Sequence, residues 1–212
     1  MKILQINLGM PKDISALHPG LFSGILKEKV DSCYLEKEHI VGDGVGRPEF
    51  HGGPDRVVCM YPFEHYDRWE KQFNISLPHP AFGENFILTG MTEEQVYIGD
   101  IYRIGEAVVQ VTQGRIPCQT IDQRNQLNGI LAEFVRTGLS GYFCRVLEVG
   151  RVHCNSPITL IEREPTSISV LQANQIMFNK NASLTDVERL LKIKGLADAW
   201  RKKLAERISS GT

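Results

Sequence analysis

The 212-residue chain lacks most of the patterns that place a protein at once. No stretch approaches the roughly 18 apolar residues needed to cross a bilayer. The opening segment, Met1-Lys-Ile-Leu-Gln-Ile-Asn7, reads as a strand and has neither the long apolar run nor the small-residue cleavage site of a signal peptide. A cytoplasmic location is therefore expected, without a membrane. Neither sign of charge is in surplus: 24 Lys and Arg face 25 Asp and Glu, for a formal net charge of -1, so the basic excess of a nucleic-acid binder is missing. There is no CxxC pair and hence no support for a structural zinc site. There is no HExxH, no P-loop and no GxGxxG at a strand–helix junction. Gly138-Leu-Ser-Gly141 lacks the spacing of a GxSxG elbow. Cysteine is sparse, odd in number and widely spaced, at Cys33, Cys59, Cys118, Cys144 and Cys154, which favours reduced thiols over a disulfide framework. Internal repeats and low-complexity segments are absent as well.

What is present suits one soluble domain with a small appendage: 42% hydrophobic and 23% charged residues are enough for a real core. Runs rich in Val, Ile and aromatics predict strands over Lys2–Ile6, Ser23–Ser32, Val57–Tyr61, Phe86–Leu88, Val96–Ile98, Ile101–Ile104, Ala107–Thr112, Tyr142–Val149 and Ile158–Ile161. Gly42-Asp-Gly-Val-Gly46, Gly99-Asp100 and Gly105-Glu106 are the clearest turn signals, the last at the tip of a hairpin. Two helices interrupt the strands. One starts near Pro62 and carries Phe63, Tyr66, Trp69 and Phe73 on one face; the other spans Gln126–Thr137 and ends at Gly138. Many short strands with few helices favour a mainly β fold, a closed or strongly bent antiparallel barrel, over residues 1–164.

After Pro165 the pattern becomes helical. Ser167–Phe178, a capped segment from Ser183 through Leu191, and a stretch carrying Leu196, Trp200 and Leu204 predict a three-helix domain over residues 165–212. It is too small to be stable alone, so it should dock on the barrel or on a second subunit, the latter giving a homodimer.

Three clusters could carry chemistry. In Phe50-His-Gly-Gly-Pro-Asp-Arg56, the paired Gly52 and Gly53 let backbone N–H groups approach an anion, flanked by His51 and Arg56 as donors; the same residues also spell a plain turn before a strand. In Phe82-Gly-Glu-Asn85, Glu84 or Asn85 can bond a heterocycle or satisfy loop backbone. In Arg115-Ile-Pro-Cys118, proline fixes the backbone before the thiol, and an arginine three residues away favours the thiolate that attacks electrophiles or ligates a soft metal. Cys33, Cys59 and Cys144 sit in apolar stretches and read as small buried hydrophobes. Cys118 lies in a polar turn, with Cys154 its rival. A Cys–His pairing of Cys118 with His51 or His65 has no specific support.

Taken in order, His51-Gly-Gly-Pro-Asp-Arg56, Tyr61 through His65-Tyr66, Phe82-Gly-Glu-Asn85, Gly99-Asp100 and Arg115-Ile-Pro-Cys118 resemble the MOSC-domain family, proteins similar to the C-terminal domain of molybdenum cofactor sulfurase. The resemblance covers most of residues 1–164. The helical tail is similar to the extension of small stand-alone bacterial members, which include proteins conferring resistance to 6-N-hydroxylaminopurine. The resemblance implies a β-barrel that binds the molybdenum cofactor, with Cys118 as catalytic residue and metal ligand. It implies cofactor contacts from His51, Gly52, Gly53, Arg56, Asn85 and Arg115. The implied activity is a detoxifying reduction of N-hydroxylated bases, N–OH to N–H with loss of water. No flavin, NAD or iron–sulfur motif is recognisable, so electrons would come from a separate flavin-containing reductase. Two other readings of the same thiol and anion-binding clusters stay open: a sulfur carrier using a Cys118 persulfide, and a non-enzymatic cofactor or anion carrier. Two departures stand out. Gly114 occupies a position where many members have proline, leaving the loop before Cys118 less rigid, and Gln119-Thr120 replace an aromatic and a basic residue.

Overall fold

Strand β9 (Ala107–Gly114) is buried along nearly its whole length rather than on alternate residues, the pattern of a strand covered on both faces. It lies inside an eight-stranded sheet. The computed structural model describes residues 1–210. From one edge to the other the sheet runs β12 (Ile158–Glu162), β8 (Ile101–Ile104), β9, β10 (Tyr142–Glu148), β6 (Val58–Pro62), β7 (Phe86–Thr89), β1 (Lys2–Leu8) and β4 (Glu28–Val30). All neighbours are antiparallel except β6 and β7, which are joined by helix α2 (Glu64–Phe73), as a parallel pair requires a crossover. Beyond edge strand β4 the chain continues through Asp31 into β5 (Ser32–Leu35), which pairs with β11 (Gly150–His153). β11 in turn leads into the opposite edge strand β12, and the Cys154 N–H bonds the Asp31 carbonyl at 3.0 Å. This short ladder links the two edges and bends the sheet into a barrel, the mainly β fold expected.

Local chemistry accounts for most element ends. The β8–β9 hairpin turns at Gly105 and Glu106 between paired Ile104 and Ala107, with Gly105 at φ 59°, where a two-residue loop favours glycine. Helix α2 buries Tyr66 and Trp69, and the Trp69 indole donates to the Tyr61 hydroxyl at 2.7 Å. Three expectations need correction. The stretch 23–32 is not one strand: β3 (Phe22–Ser23), which pairs with β2 (Lys12–Asp13), is separated from β4 by a bend, because the backbone at Gly24 packs against the Gly44 carbonyl with no room for a Cβ. Val96–Ile98 does not join the sheet. It forms a single bridge, Tyr97 to Ser169, and bonds the tail's Ile168 and Val170. The helix expected over 126–137 starts only at α4 (Ile130–Thr137), and a separate helix that was not expected, α3 (Thr120–Asn125), precedes it; Gln126, φ 51°, ends α3, and the Asp122 carboxylate accepts the Gly129 and Leu131 N–H groups at the start of α4. Gly138 ends α4 in the left-handed conformation, as expected.

The tail comprises α5 (Val170–Phe178), α6 (Leu184–Leu191) and α7 (Asp198–Ser210). Ser169 and Ser183 cap the first two through Gln172 and Asp186 N–H groups at 3.2 and 3.1 Å. The tail docks on the barrel: Val170, Ala173, Met177, Leu190, Trp200 and Leu204 share one continuous core with Ile98, Val109 and Val111. α5 covers β9, and Ala197 N–H bonds the Thr112 carbonyl at 3.0 Å. Among the described residues no helix is long and apolar enough to cross a membrane. Trp200→Ala should cost roughly 3–5 kcal/mol and shift a single cooperative urea transition. A separate early transition for the tail would contradict the shared core.

Candidate active site

A cleft of about 280 Å³ opens where six segments converge, near the lower end of the roughly 300–1,000 Å³ of small-molecule pockets. One wall is the 23–27 bend, another the glycine-rich loop 43–46, and opposite them stand the end of β9 and the loop to Cys118. The first two walls are nearly bare backbone. A Cβ on Gly24 would lie 2.2 Å from the Gly44 carbonyl oxygen, and one on Gly46 would lie 2.6 Å from the Phe22 carbonyl oxygen. The mouth is apolar: Val45, Phe50 and Ile116 line it while exposed to solvent.

The floor is pinned by buried polar groups. Asn85 Oδ1 accepts the Cys59 N–H at 3.0 Å, and its Nδ2 donates to the Asn7 carbonyl at 3.3 Å and to Asp43 Oδ2 at 2.9 Å. Asp43 also pairs with the buried Lys27 ammonium and accepts the Gly9 N–H. Five segments distant in sequence, at Asn7–Gly9, Lys27, Asp43, Cys59 and Asn85, are thereby held in one place. Glu84, fully buried, accepts the Phe82 N–H at 2.9 Å and the Tyr66 hydroxyl.

Two arginines face the cleft without a carboxylate partner in any ion pair among the described residues. Arg56 donates to the Phe50 carbonyl and Arg115 to the Phe82 carbonyl. Arg115 Nη1 is buried with no hydrogen-bond partner, as is Gln113 Oε1 beside it. Burial acts to lower the Arg115 pKa, but Cys59, Cys118 and Glu84 outweigh it and the net direction is up. Burial moves Arg56 down, against Asp55. His51 is pushed below the usual imidazole range by desolvation, then by Arg115, Arg56 and Arg47, with Glu49 opposing. The shift favours the neutral imidazole, which donates one hydrogen bond and accepts another, at a site where the arginines carry the charge.

Of the residues singled out from sequence, the fold brings His51, Arg56, Asn85, Arg115 and Cys118 to this one cleft. Gly52 and Gly53 are not among its lining residues; they shape the turn that presents His51 and Arg56, with Gly53 at φ 107°. Asn85 reaches the cleft, but its amide is engaged by the floor. Cys118 is half-buried, whereas Cys33, Cys59 and Cys144 are buried. Cys154 lies elsewhere, against the Val30 carbonyl. His65 also lies elsewhere, bonded to Glu93 at 2.6 Å. Sequence reasoning missed Lys27, Asp43, Gln113 and the placement of Cys59 in the cleft. The signal for one wall was present in Gly42-Asp-Gly-Val-Gly46, which read only as a turn.

The Gly114 departure has a steric reason. A Cβ there would lie 1.6 Å from Asn174 Oδ1 of helix α5, so the loop before Cys118 is held by the tail rather than by a proline. Asn174 Oδ1 is itself buried and unpartnered, while its Nδ2 donates to the Gly138 carbonyl at 2.7 Å.

A MOSC domain model matches residues 47–159 and a YiiM-like, 3-alpha helix domain model matches residues 168–211. The chain belongs to the MOSC-domain family. Its MOSC relatives include the uncharacterized protein YflK of Bacillus subtilis, 40% identical over 200 residues, covering 94% of this chain and 90% of that one. Protein YiiM of Escherichia coli is 35% identical over 202 residues, covering 93% and 90%. A protein named Reductase from Gibberella moniliformis is 33% identical over 190 residues, but this chain spans only 33% of its length. The crystal structure of YiiM from Geobacillus stearothermophilus superimposes with a TM-score of 0.83 at 32% identity, covering 98% of both chains.

The geometry sets two expected outcomes. In a proton NMR titration, His51 should titrate below an ordinary surface imidazole, and Arg47→Ala should raise its midpoint; an unmoved midpoint would discount the arginine field. Gly114→Ala should destabilise by roughly 1–3 kcal/mol, and Asn174→Ala in the same chain should recover part of that loss. Strictly additive effects in urea melts would show that the two positions do not meet.

Proposed function

We propose that this MOSC protein is a molybdenum-cofactor-dependent reductase of N-hydroxylated compounds, with Cys118 as the metal ligand and Arg56 and Arg115 holding the pterin phosphate. One observation carries the reading: two guanidinium groups lacking carboxylate partners share a cleft with a half-buried thiol. The residues fit the group. The unpartnered Arg115 Nη1 is a donor awaiting an acceptor, and arginine is suited to a phosphate's paired oxygens. Glycines at 24, 44 and 46 let the cleft walls pack closely on neighbouring segments, where a Cβ would meet Gly44, Pro11 and Phe22. A thiolate is a soft ligand. When bound, the cofactor supplies the redox centre that delivers two electrons to an N–O bond.

The chain's own residues bind and orient. Arg115 and Arg56 take the phosphate charge, so binding does not leave it unpaired in a partly dry site. Asn85, Asp43 and Lys27 keep the floor rigid. Exposed Phe50 and half-buried Phe143 line the cleft and offer apolar faces to a planar heteroaromatic ring. Neutral His51 presents one N–H donor and one acceptor at the mouth for the hydroxylamino group. Reduction of R–NH–OH to R–NH2 and water consumes two electrons and two protons. The electrons come from a separate flavin-containing reductase, a reading supported by the longer Gibberella relative named Reductase, in which the region similar to this chain occupies a third of the length.

Reconstitution with cofactor and metal analysis tests the ligand. Cys118→Ala should lose bound molybdenum and all turnover of 6-N-hydroxylaminopurine with an artificial reductant. Arg115→Ala should retain the cofactor roughly 10- to 100-fold less tightly. Equal molybdenum in wild type and Cys118→Ala would sink the assignment. Added sulfur on Cys118 after treatment with a cysteine desulfurase would then favour a persulfide carrier.

A further inference from the structure

Among the described residues none after Phe143 lines the cleft, yet the helical tail is bound into the segments that form it. The two contacts fall at equivalent places. At the first, helix α5 inserts Asn174 against Gly114, the residue immediately before Arg115. Asn174 Nδ2 reaches the Gly138 carbonyl at 2.7 Å and Ser140 Oγ at 3.4 Å, and Ser140 Oγ donates to the Arg115 carbonyl at 2.6 Å. Arg115 N–H closes the loop on the Gly141 carbonyl at 2.9 Å. At the second, the first N–H of α7, from Asp198, donates to Asp55 Oδ2 at 2.8 Å, one residue before Arg56. Arg145 pairs with the same carboxylate at 2.8 Å and donates to the tail's Gly195 carbonyl at 3.2 Å.

We infer that the three-helix tail is a positioning device for the cleft: it grips the barrel at the residue before each cleft arginine and so sets the separation of two guanidinium groups for one phosphate. The inference rests on the reading of Arg56 and Arg115 as phosphate contacts. Its physical basis is rigidity. An arginine side chain has several rotatable bonds, and its cost of ordering on a ligand falls when its main chain is already held. A tail covering only apolar surface needs no polar contacts at these two points. Here Asn174 keeps a buried carbonyl oxygen without a partner in order to sit against Gly114. Asn174, Ser140 and Asp55 are accordingly positioning residues, acting through Arg115 and Arg56 without touching the ligand.

The test uses the full-length apo protein, titrated calorimetrically with inorganic phosphate, alongside Cys118 alkylation by iodoacetamide read by peptide mass spectrometry. Asn174→Ala and Asp55→Ala should each weaken phosphate binding roughly tenfold. Leu204→Ala, which loosens the same tail away from both grips, should lower the melting temperature and keep wild-type phosphate affinity. Ser140→Thr retains the hydroxyl and should bind phosphate more tightly than Ser140→Ala, which keeps the comparison available if Asn174→Ala does not fold. Wild-type affinity in Asn174→Ala and Asp55→Ala overturns the inference. An equal loss in Leu204→Ala overturns it too, because general stability would then explain the effect. If Arg115→Gln binds phosphate as well as wild type does, the phosphate reading itself falls. The α5 grip is then judged by Cys118 alkylation, whose rate should change in Asn174→Ala and not in Leu204→Ala; no change in Asn174→Ala rejects it.

Discussion

Burying both faces of β9 forces the chain to supply a second layer, and the tail is that layer. Val109 and Val111 of the strand share one core with Val170, Ala173 and Met177 of α5, which packs on it. A strand so placed has no solvated face to absorb a shift in register. The segment leaving β9, Arg115-Ile-Pro-Cys118, therefore starts from a fixed point. The thiol sits on a short loop anchored to a strand clamped between two layers.

The rest of the cleft is held by a different kind of force. The backbone groups of its loops must find polar partners or remain unsatisfied. Asn85 serves the Cys59 N–H and the Asn7 carbonyl and reaches the Asp43 carboxylate, which in turn accepts the Gly9 N–H and pairs with Lys27. The buried Lys27–Asp43 pair keeps local charge balanced at the floor, and Arg56 and Arg115 are the cleft arginines without a carboxylate in direct ion-pair contact among the described residues. Their field adds to desolvation in depressing His51, in the same cleft, toward the neutral form.

Much of this was legible in the residues. Turn glycines, caps at Ser183 and the aromatic face of α2 obey local rules, and the strand pattern led to the barrel. The cleft was readable in outline because its arginines, histidine and cysteine lie in polar, glycine- or proline-marked turns. The failures have a common physical cause. Gly24 breaks a strand-like run only because Gly44 presses on it from twenty residues away. Val96–Ile98 has strand composition but pairs with the tail, not with the sheet. Lys27 and Cys59 sit in unremarkable sequence and reach the site through tertiary packing. Gly114 read as looseness, whereas its meaning depends on a side chain sixty residues later. In each case the deciding partner is non-local, and no pattern along the chain reports it.

Unpartnered buried polar atoms locate the same place by an independent route. Each costs roughly 1–3 kcal/mol, so folded chains keep few of them. In this chain three of the unsatisfied side-chain atoms, on Gln113, Arg115 and Asn174, surround the single residue Gly114. Two of those side chains approach from β9 and its loop and the third from the tail, so no one segment's packing accounts for all three. Arg115 and Gln113 line the cleft, so under the proposed phosphate reading their two atoms are the ones a ligand would serve. Asn174 Oδ1 faces backbone and gains none; its cost buys a fixed origin for the loop. Three of the seven such atoms among the described residues thus lie on Gln113, Arg115 and Asn174, where strand and tail meet, and the other four on Arg124, Asn125, Arg145 and Trp200; local consistency is given up most readily where geometry is maintained for function.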